Sequence, residues 1–382
     1  MRRERRRVEG GCMRRTTIVG LDLVRFSAAI LVVLYHMTYW ISAPDPTSPP
    51  RNITGGVFDF SRFSVNFGWV GVEIFFVLSG FVISYSASQS DAFGFLKGRV
   101  LRLAPAAWIC ASVTLLVSLA IGYVGVADGV LEWTRSVLFY PSGPWIDGVY
   151  WTLGIEVSFY LVMFALLWSG RFRHVEAVAA TIGLVSTAFW LLWLLAPSDA
   201  LTSLAGKRLW ALLLIRYGCD FTVGVMLWLS MVRGPTKARL AVLLACCLGG
   251  VLEIAYTAQA ERIPVGGAAI AAWLLAIGLM AASVRWNARL AAWPAADRWA
   301  RRLGLATYPL YLTHQVVGSA LMAALWRLGL SQLACLLITI AAAVTFSVVV
   351  AEAWEPALRK PLARLFGLIE RPARWLLRAQ SA

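Results

Sequence analysis

Long apolar runs alternate with short polar turns along most of this chain. A helix needs about 20 apolar residues to cross a bilayer. Ten stretches fit that requirement: 17–40, 66–84, 104–126, 150–168, 177–196, 210–229, 239–257, 264–284, 303–325 and 331–351. The period-two alternation of barrel strands is absent. The pattern predicts an all-α, polytopic membrane helix bundle with about ten transmembrane helices. It divides the chain into an N-terminal segment 1–16, a transmembrane domain 17–351 and a tail 352–382. The first run is too long for a signal peptide and no small-residue cleavage site ends it, so it is expected to remain as a span. The tail is short and interrupted by prolines, and Trp375, Leu376 and Leu377 are expected to dip into the inner leaflet.

Composition supports this picture. Of the 382 residues, 59% are apolar and 14% charged, against roughly 25% charged in a soluble domain. So few polar groups cannot cover a globule of this size, and disorder would require the opposite bias. The net charge of +15 would ordinarily suggest nucleic-acid binding. Sorting it by loop changes its meaning. With the N-terminus inside, 26 of the 35 basic residues fall on inner segments, seven on outer loops, and Arg25 and Arg216 within spans. That asymmetry is the positive-inside rule. Both termini are therefore expected in the cytoplasm, segment 1–16 and the tail are basic, and no nucleic-acid partner is expected. The six cysteines lie inside or in helices, so disulfides are not expected. Cysteine and histidine spacing offers no metal site, and no metal is expected.

Polar residues inside the spans carry the chemistry. Asp22, Arg25, His36, Glu73, Glu156, Arg216, Asp220, Glu253 and His314 all fall within predicted helices. Each costs about 2.5–3.5 kcal/mol at mid-bilayer unless paired or facing a wet cavity. Arg25 and His36 are eleven residues apart, which puts them within about 20° of one helix face and about 16 Å apart along the axis. Asp22 lies one turn below Arg25 and predicts an i,i+3 ion pair. Glu73 and Glu156 lie about seven and six residues into helices entering from outside, at a depth similar to His36. A histidine beside a carboxylate is a general-base constellation; the competing reading is that each glutamate caps or pairs elsewhere. Arg216 and Asp220, four apart, predict a mutual pair. His314 reads equally as a buried hydrogen-bonded residue or a catalytic one, and nothing selects Glu253. Arg99 and Arg102 share a face at an inner helix mouth. They read as orientation charge or as a bidentate phosphate site.

Several blocks together resemble acyltransferase family 3, bacterial integral-membrane enzymes that include O-acetyltransferases of O-antigen, exopolysaccharide and related acceptors. Leu21-Asp22-Leu23-Val24-Arg25 through Tyr35-His36 is similar to the family's Leu-Asp-x-x-Arg…His pattern, with the same gap. The block from Gly68 to Phe81 is similar to one in which the family often has Asp at the place of Glu73. Arg99-x-x-Arg102-Leu103-x-Pro105 resembles the paired-arginine motif. The run from Trp151 to Tyr160 contains Glu156 but has Val157 where the family commonly has a second acid. The fifth block is Tyr308 to His314.

The resemblance implies acyl-CoA as co-substrate, with acetyl-CoA the first expectation. It implies a hydroxyl of a cell-surface or lipid-linked carbohydrate as acceptor, and the bacterial cytoplasmic (inner) membrane as location. Arg25, Arg99 and Arg102 would hold the CoA phosphates from the inside. His36 would act as general base on the acceptor hydroxyl or carry the acyl group itself, with Glu73 or Glu156 orienting it. Oligomeric state stays open. The rival class is a non-enzymatic transporter or flippase for a glycolipid or drug-like substrate, which predicts broken helices and inverted repeats; neither is visible in the sequence.

Overall fold

The computed structural model describes residues 18–263 and 267–380, with side chains for all of these but 288, 291 and 368–380. Segment 1–16 and the side chains of Trp375, Leu376 and Leu377 lie outside the described residues. Among the described residues there is no strand. The helices are α1 (Val19–Leu34, continuing as a π-helix over Tyr35–Trp40), α2 (Pro49–Thr54), α3 (Gly71–Ser88), α4 (Ala92–Ala120), α5 (Val126–Val137), α6 (Trp151–Trp168), α7 (Val175–Leu195), α8 (Asp199–Gly206) and α9 (Arg208–Leu212). They continue with α10 (Gly218–Arg233), α11 (Lys237–Ala260), α12 (Gly267–Ala291), α13 (Pro294–Thr313), α14 (Val316–Arg327), α15 (Gln332–Val349) and, after a second π-turn over Val350–Trp354, α16 (Glu355–Gln380). Eight helical segments among the described residues are long and apolar enough to cross a membrane. The molecule is a multi-pass, all-helical membrane protein.

Two of the ten predicted spans are built from pieces, although no helix break is visible in the sequence. Stretch 210–229 is the end of α9, a turn, and the first part of α10. Stretch 303–325 breaks at His314 and Gln315, between α13 and α14. Hydropathy averages over a window and does not register a two-residue interruption inside an apolar run. The tail is also more ordered than its prolines suggested: Pro361 and Pro372 lie within the single helix α16, whose start packs on α4.

Glycine sets the closest helix contacts. A Cβ on Gly80 would overlap the Phe221 carbonyl, and one on Gly224 the Val77 carbonyl, so α3 and α10 meet backbone to backbone. Small residues at such crossings are how helices pack tightly in lipid, where no hydrophobic force separates helix from solvent. Gly68 and Gly71 do the same against the Leu31 and Ala28 carbonyls of α1. This fixes the entry of α3 against the half of α1 that leads to His36.

Candidate active site

The π-turn at the end of α1 positions His36. Its Nδ1–H bonds back to the Val32 carbonyl at 2.8 Å. π-turns of this kind recur at functional sites because they re-aim a side chain within a continuous helix. The second histidine arrives from the break in α13–α14. In an unbroken helix the Tyr311 carbonyl would pair with the Gln315 amide. Here it accepts from His314 Nδ1–H at 2.8 Å, so the ring caps the carbonyl that the break releases. His314 Nε2 then lies 3.2 Å from His36 Nδ1, with ring centroids 4.8 Å apart. Tyr35 and Trp40 enclose His36, each ring 5.1 Å from the imidazole. His36 keeps partial exposure while His314 is buried.

Asp147 holds the break from a neighbouring loop. Its Oδ2 accepts from the Val316 amide at 3.1 Å and its Oδ1 from the Val149 amide at 3.2 Å. Burial pushes this carboxyl up to about 7, against the pull of the Val316 and Val149 amides. Asp147→Ala would leave two buried amides unpaired, a loss of about 1–3 kcal/mol each at most. The expected result is a lower melting temperature in detergent, with Asp147→Asn, which keeps one acceptor oxygen, intermediate. An unchanged melting temperature for Asp147→Ala would contradict this account.

A cavity of about 510 Å³ lies among α1, α3, α4, α6, α13 and α16. Arg25, Arg99, Arg102, Arg301 and Arg359 line it, against the acids Asp22 and Glu156. Arg25 pairs with Asp22 at 2.9 Å, as the i,i+3 spacing predicted. Arg99 donates to Ser86 Oγ at 3.0 Å and lies against the rings of Phe95 and Tyr160. Arg102 is 3.6 Å from Glu355 of α16. Arg99 Nε, Arg102 Nη1 and the Tyr308 hydroxyl have no hydrogen-bond partner among the described residues. The cavity is therefore cationic and has donors to spare, a fit for an anionic guest. It also touches Phe75, Thr152 and Tyr311. His36 does not line it. Tyr311 belongs to both places: it lines the cavity, and its carbonyl anchors His314.

The two predicted carboxylates are placed elsewhere than beside His36. Glu156 lines the cavity, where Tyr160 donates to it at 2.6 Å and Ser79 at 3.2 Å. Glu73 is 3% exposed and lies within electrostatic range of Glu253, Asp220 and Arg216. Depth alone suggested a shared site. Gly71 faces α1, however, and Glu73, two residues on, is turned about 200° from it. The pair predicted for Arg216 and Asp220 does not form either. Arg216 precedes α10, outside any helical register, and pairs with Glu253 at 3.0 Å and Thr257 at 2.8 Å. Arg301 and Arg359, counted in the sequence as orientation charge, are the site residues that reasoning missed. Their only signal was their sign. Among the described residues no group of three or more His, Cys, Asp or Glu is arranged to hold a metal ion.

The fold is a multi-pass helical membrane bundle, and its candidate site joins a histidine pair, through Tyr311, to a cationic internal cavity. The chain belongs to acyltransferase family 3: residues 18–352 match that family, described as an acyltransferase domain. It is an acyltransferase. Nodulation protein 10 of Rhizobium leguminosarum bv. viciae is 31% identical over 197 residues, 45% of this chain and 50% of that protein. The chain thus spans about half the length of that relative. The exopolysaccharide production protein ExoZ of Rhizobium meliloti (strain 1021) is 25% identical over 307 residues, 78% of this chain and 90% of that protein. No solved structure matches the chain. With the family established, the broken helices that would have marked a transporter take another meaning: the break at His314 builds the histidine pair.

Proposed function

We propose that this protein moves an acyl group, acetyl in the first instance, from cytoplasmic acyl-CoA to a hydroxyl of a cell-surface or lipid-linked carbohydrate. The carrying observation is the cavity with five arginines that reaches Tyr311, whose carbonyl anchors the histidine pair. Its spare donors suit the phosphates of CoA, and, in a bacterial inner membrane, the positive-inside count favours the cytoplasmic side for its arginine-rich helix mouths. The exopolysaccharide role in the name of one relative supports a glycan acceptor.

In this reading Arg25, Arg99 and Arg102, joined by Arg301 and Arg359, hold the nucleotide end. The pantetheine arm runs toward Phe75 and Tyr311. His36 Nε2 takes the proton of the acceptor hydroxyl as its oxygen attacks the thioester carbonyl. The C–S bond breaks, and the imidazolium returns that proton to the departing thiolate, leaving an ester and free CoA. Glu156 lies within electrostatic range of Arg25 and steadies the cationic wall. Glu73 serves the buried charge cluster with Arg216, Asp220 and Glu253 rather than the transfer itself.

Membranes containing the protein, given radiolabelled acetyl-CoA, are expected to move label into carbohydrate, and a deletion strain is expected to lose the matching acetyl signals from its surface-glycan NMR spectrum. Membranes that transfer no label, with glycan spectra identical in the two strains, would overturn the proposal.

A further inference from the structure

The histidine pair has a hydrogen-bond order that the two backbone carbonyls dictate. A carbonyl only accepts, so the 2.8 Å contact with Tyr311 O requires the proton of His314 on Nδ1. His314 Nε2 is then a bare lone pair. The 2.8 Å contact with Val32 O likewise requires the proton of His36 on Nδ1. That proton is shared between Val32 O and the lone pair of His314 Nε2, 3.2 Å away. The order runs from His36 Nδ1–H to His314 Nε2, and from His314 Nδ1–H to Tyr311 O. Its free end is His36 Nε2, which takes no hydrogen-bond partner among the described residues.

We propose that His314 is a positioning residue for the transfer reaction: its lone pair gives the His36 Nδ1–H, already held by Val32 O, a second acceptor that fixes the ring with Nε2 bare, and it steadies the imidazolium that forms when His36 takes a proton. This rests on the assignment of His36 as general base. It puts a neutral histidine where serine hydrolases use a carboxylate to orient theirs. The substitution suits the setting, because a carboxylate beside His36 would bring a further charge into the membrane interior, whereas a neutral imidazole brings none. The ring is fixed on both sides. His314 is 1% exposed, its amide bonds to Leu310 O at 3.2 Å, and the next helix start is pinned through Val316 by Asp147. Because the break in α13–α14 sets the position of His314, the break becomes part of the catalytic geometry.

Three variants and one spectrum test this. The chain has three histidines, so a protein labelled with ¹⁵N-histidine in nanodiscs has three rings to assign. The His36 ring is expected to report the neutral Nδ1–H form. His314→Leu, which removes the second acceptor, is expected to lose roughly 10²-fold in kcat with KM for acyl-CoA unchanged, and to shift the His36 Nδ1–H resonance, whose proton is then left to Val32 O alone. His314→Gln, whose Oε1 accepts a hydrogen bond, is expected to recover most of that loss. An Nε2–H form of His36 in the wild-type protein would overturn the proposal before any variant is made. So would wild-type kcat in His314→Leu, or equal losses in the Leu and Gln variants. His36→Ala separates the two assignments. Wild-type turnover there would refute the base itself, whereas its loss alongside full activity in His314→Leu would refute only the positioning role.

Discussion

Replacing His36 by alanine is expected to lower the turnover of acyl transfer by roughly 10²–10⁴-fold, the usual contribution of a positioned general base. At 1.36 kcal/mol per decade this is about 3–5 kcal/mol of transition-state stabilisation. The expectation follows from the ring's setting. His36 sits in a π-turn, its Nδ1–H is committed to Val32 O and His314, and the rings of Tyr35 and Trp40 enclose it. Only Nε2 is left to work. KM for acyl-CoA should change little, because His36 does not line the arginine cavity. Wild-type product formation by the variant at normal membrane expression would remove His36 from the mechanism. A single turnover with labelled acyl-CoA and no acceptor separates the base role from an acyl-histidine: label retained on the wild-type protein would favour the covalent route, and none is expected.

What could be read from the chain, and what could not, divides along one physical line. Relations within a helix follow from 100° and 1.5 Å per residue, and two of them reappear in the structure. Asp22 meets Arg25, and Arg99 and Arg102 open onto one cavity. Relations between helices depend on azimuth, which an apolar run does not specify. Glu73 and His36 share a predicted depth, yet the contact of Gly71 with α1 turns Glu73 toward α10 and α11 instead. The partner of His36 lies 278 residues away, and it is brought there by a helix break that hydropathy averages away. Arg301 and Arg359 carry the same charge as their neighbours that only record orientation. Nothing local distinguishes them until α13 and α16 pack beside α4.

Substituting both Arg99 and Arg102 by alanine is expected to raise KM for acyl-CoA by about 10²-fold. Each charged hydrogen bond to a phosphate is worth about 1.5–3 kcal/mol, and the two sum to less than their separate values because Arg25, Arg301 and Arg359 remain in the cavity. Turnover at saturating acyl-CoA should stay within a few-fold of wild type, since the histidine pair is untouched. Lysine at both positions keeps the charge but loses the planar fork, so it should recover only part of the affinity. The decisive comparison uses a truncated donor. Acyl-pantetheine carries the same thioester without the nucleotide phosphates. The wild-type enzyme should prefer acyl-CoA over it by at least about 10²-fold, and the double variant should lose most of that preference. A preference that survives the double substitution in full would mean that Arg99 and Arg102 only orient the protein in its membrane. Its disappearance would place the phosphates between α3, α4 and α16, and would explain why Arg102 stays beside Glu355, a partner from which an incoming phosphate can displace it.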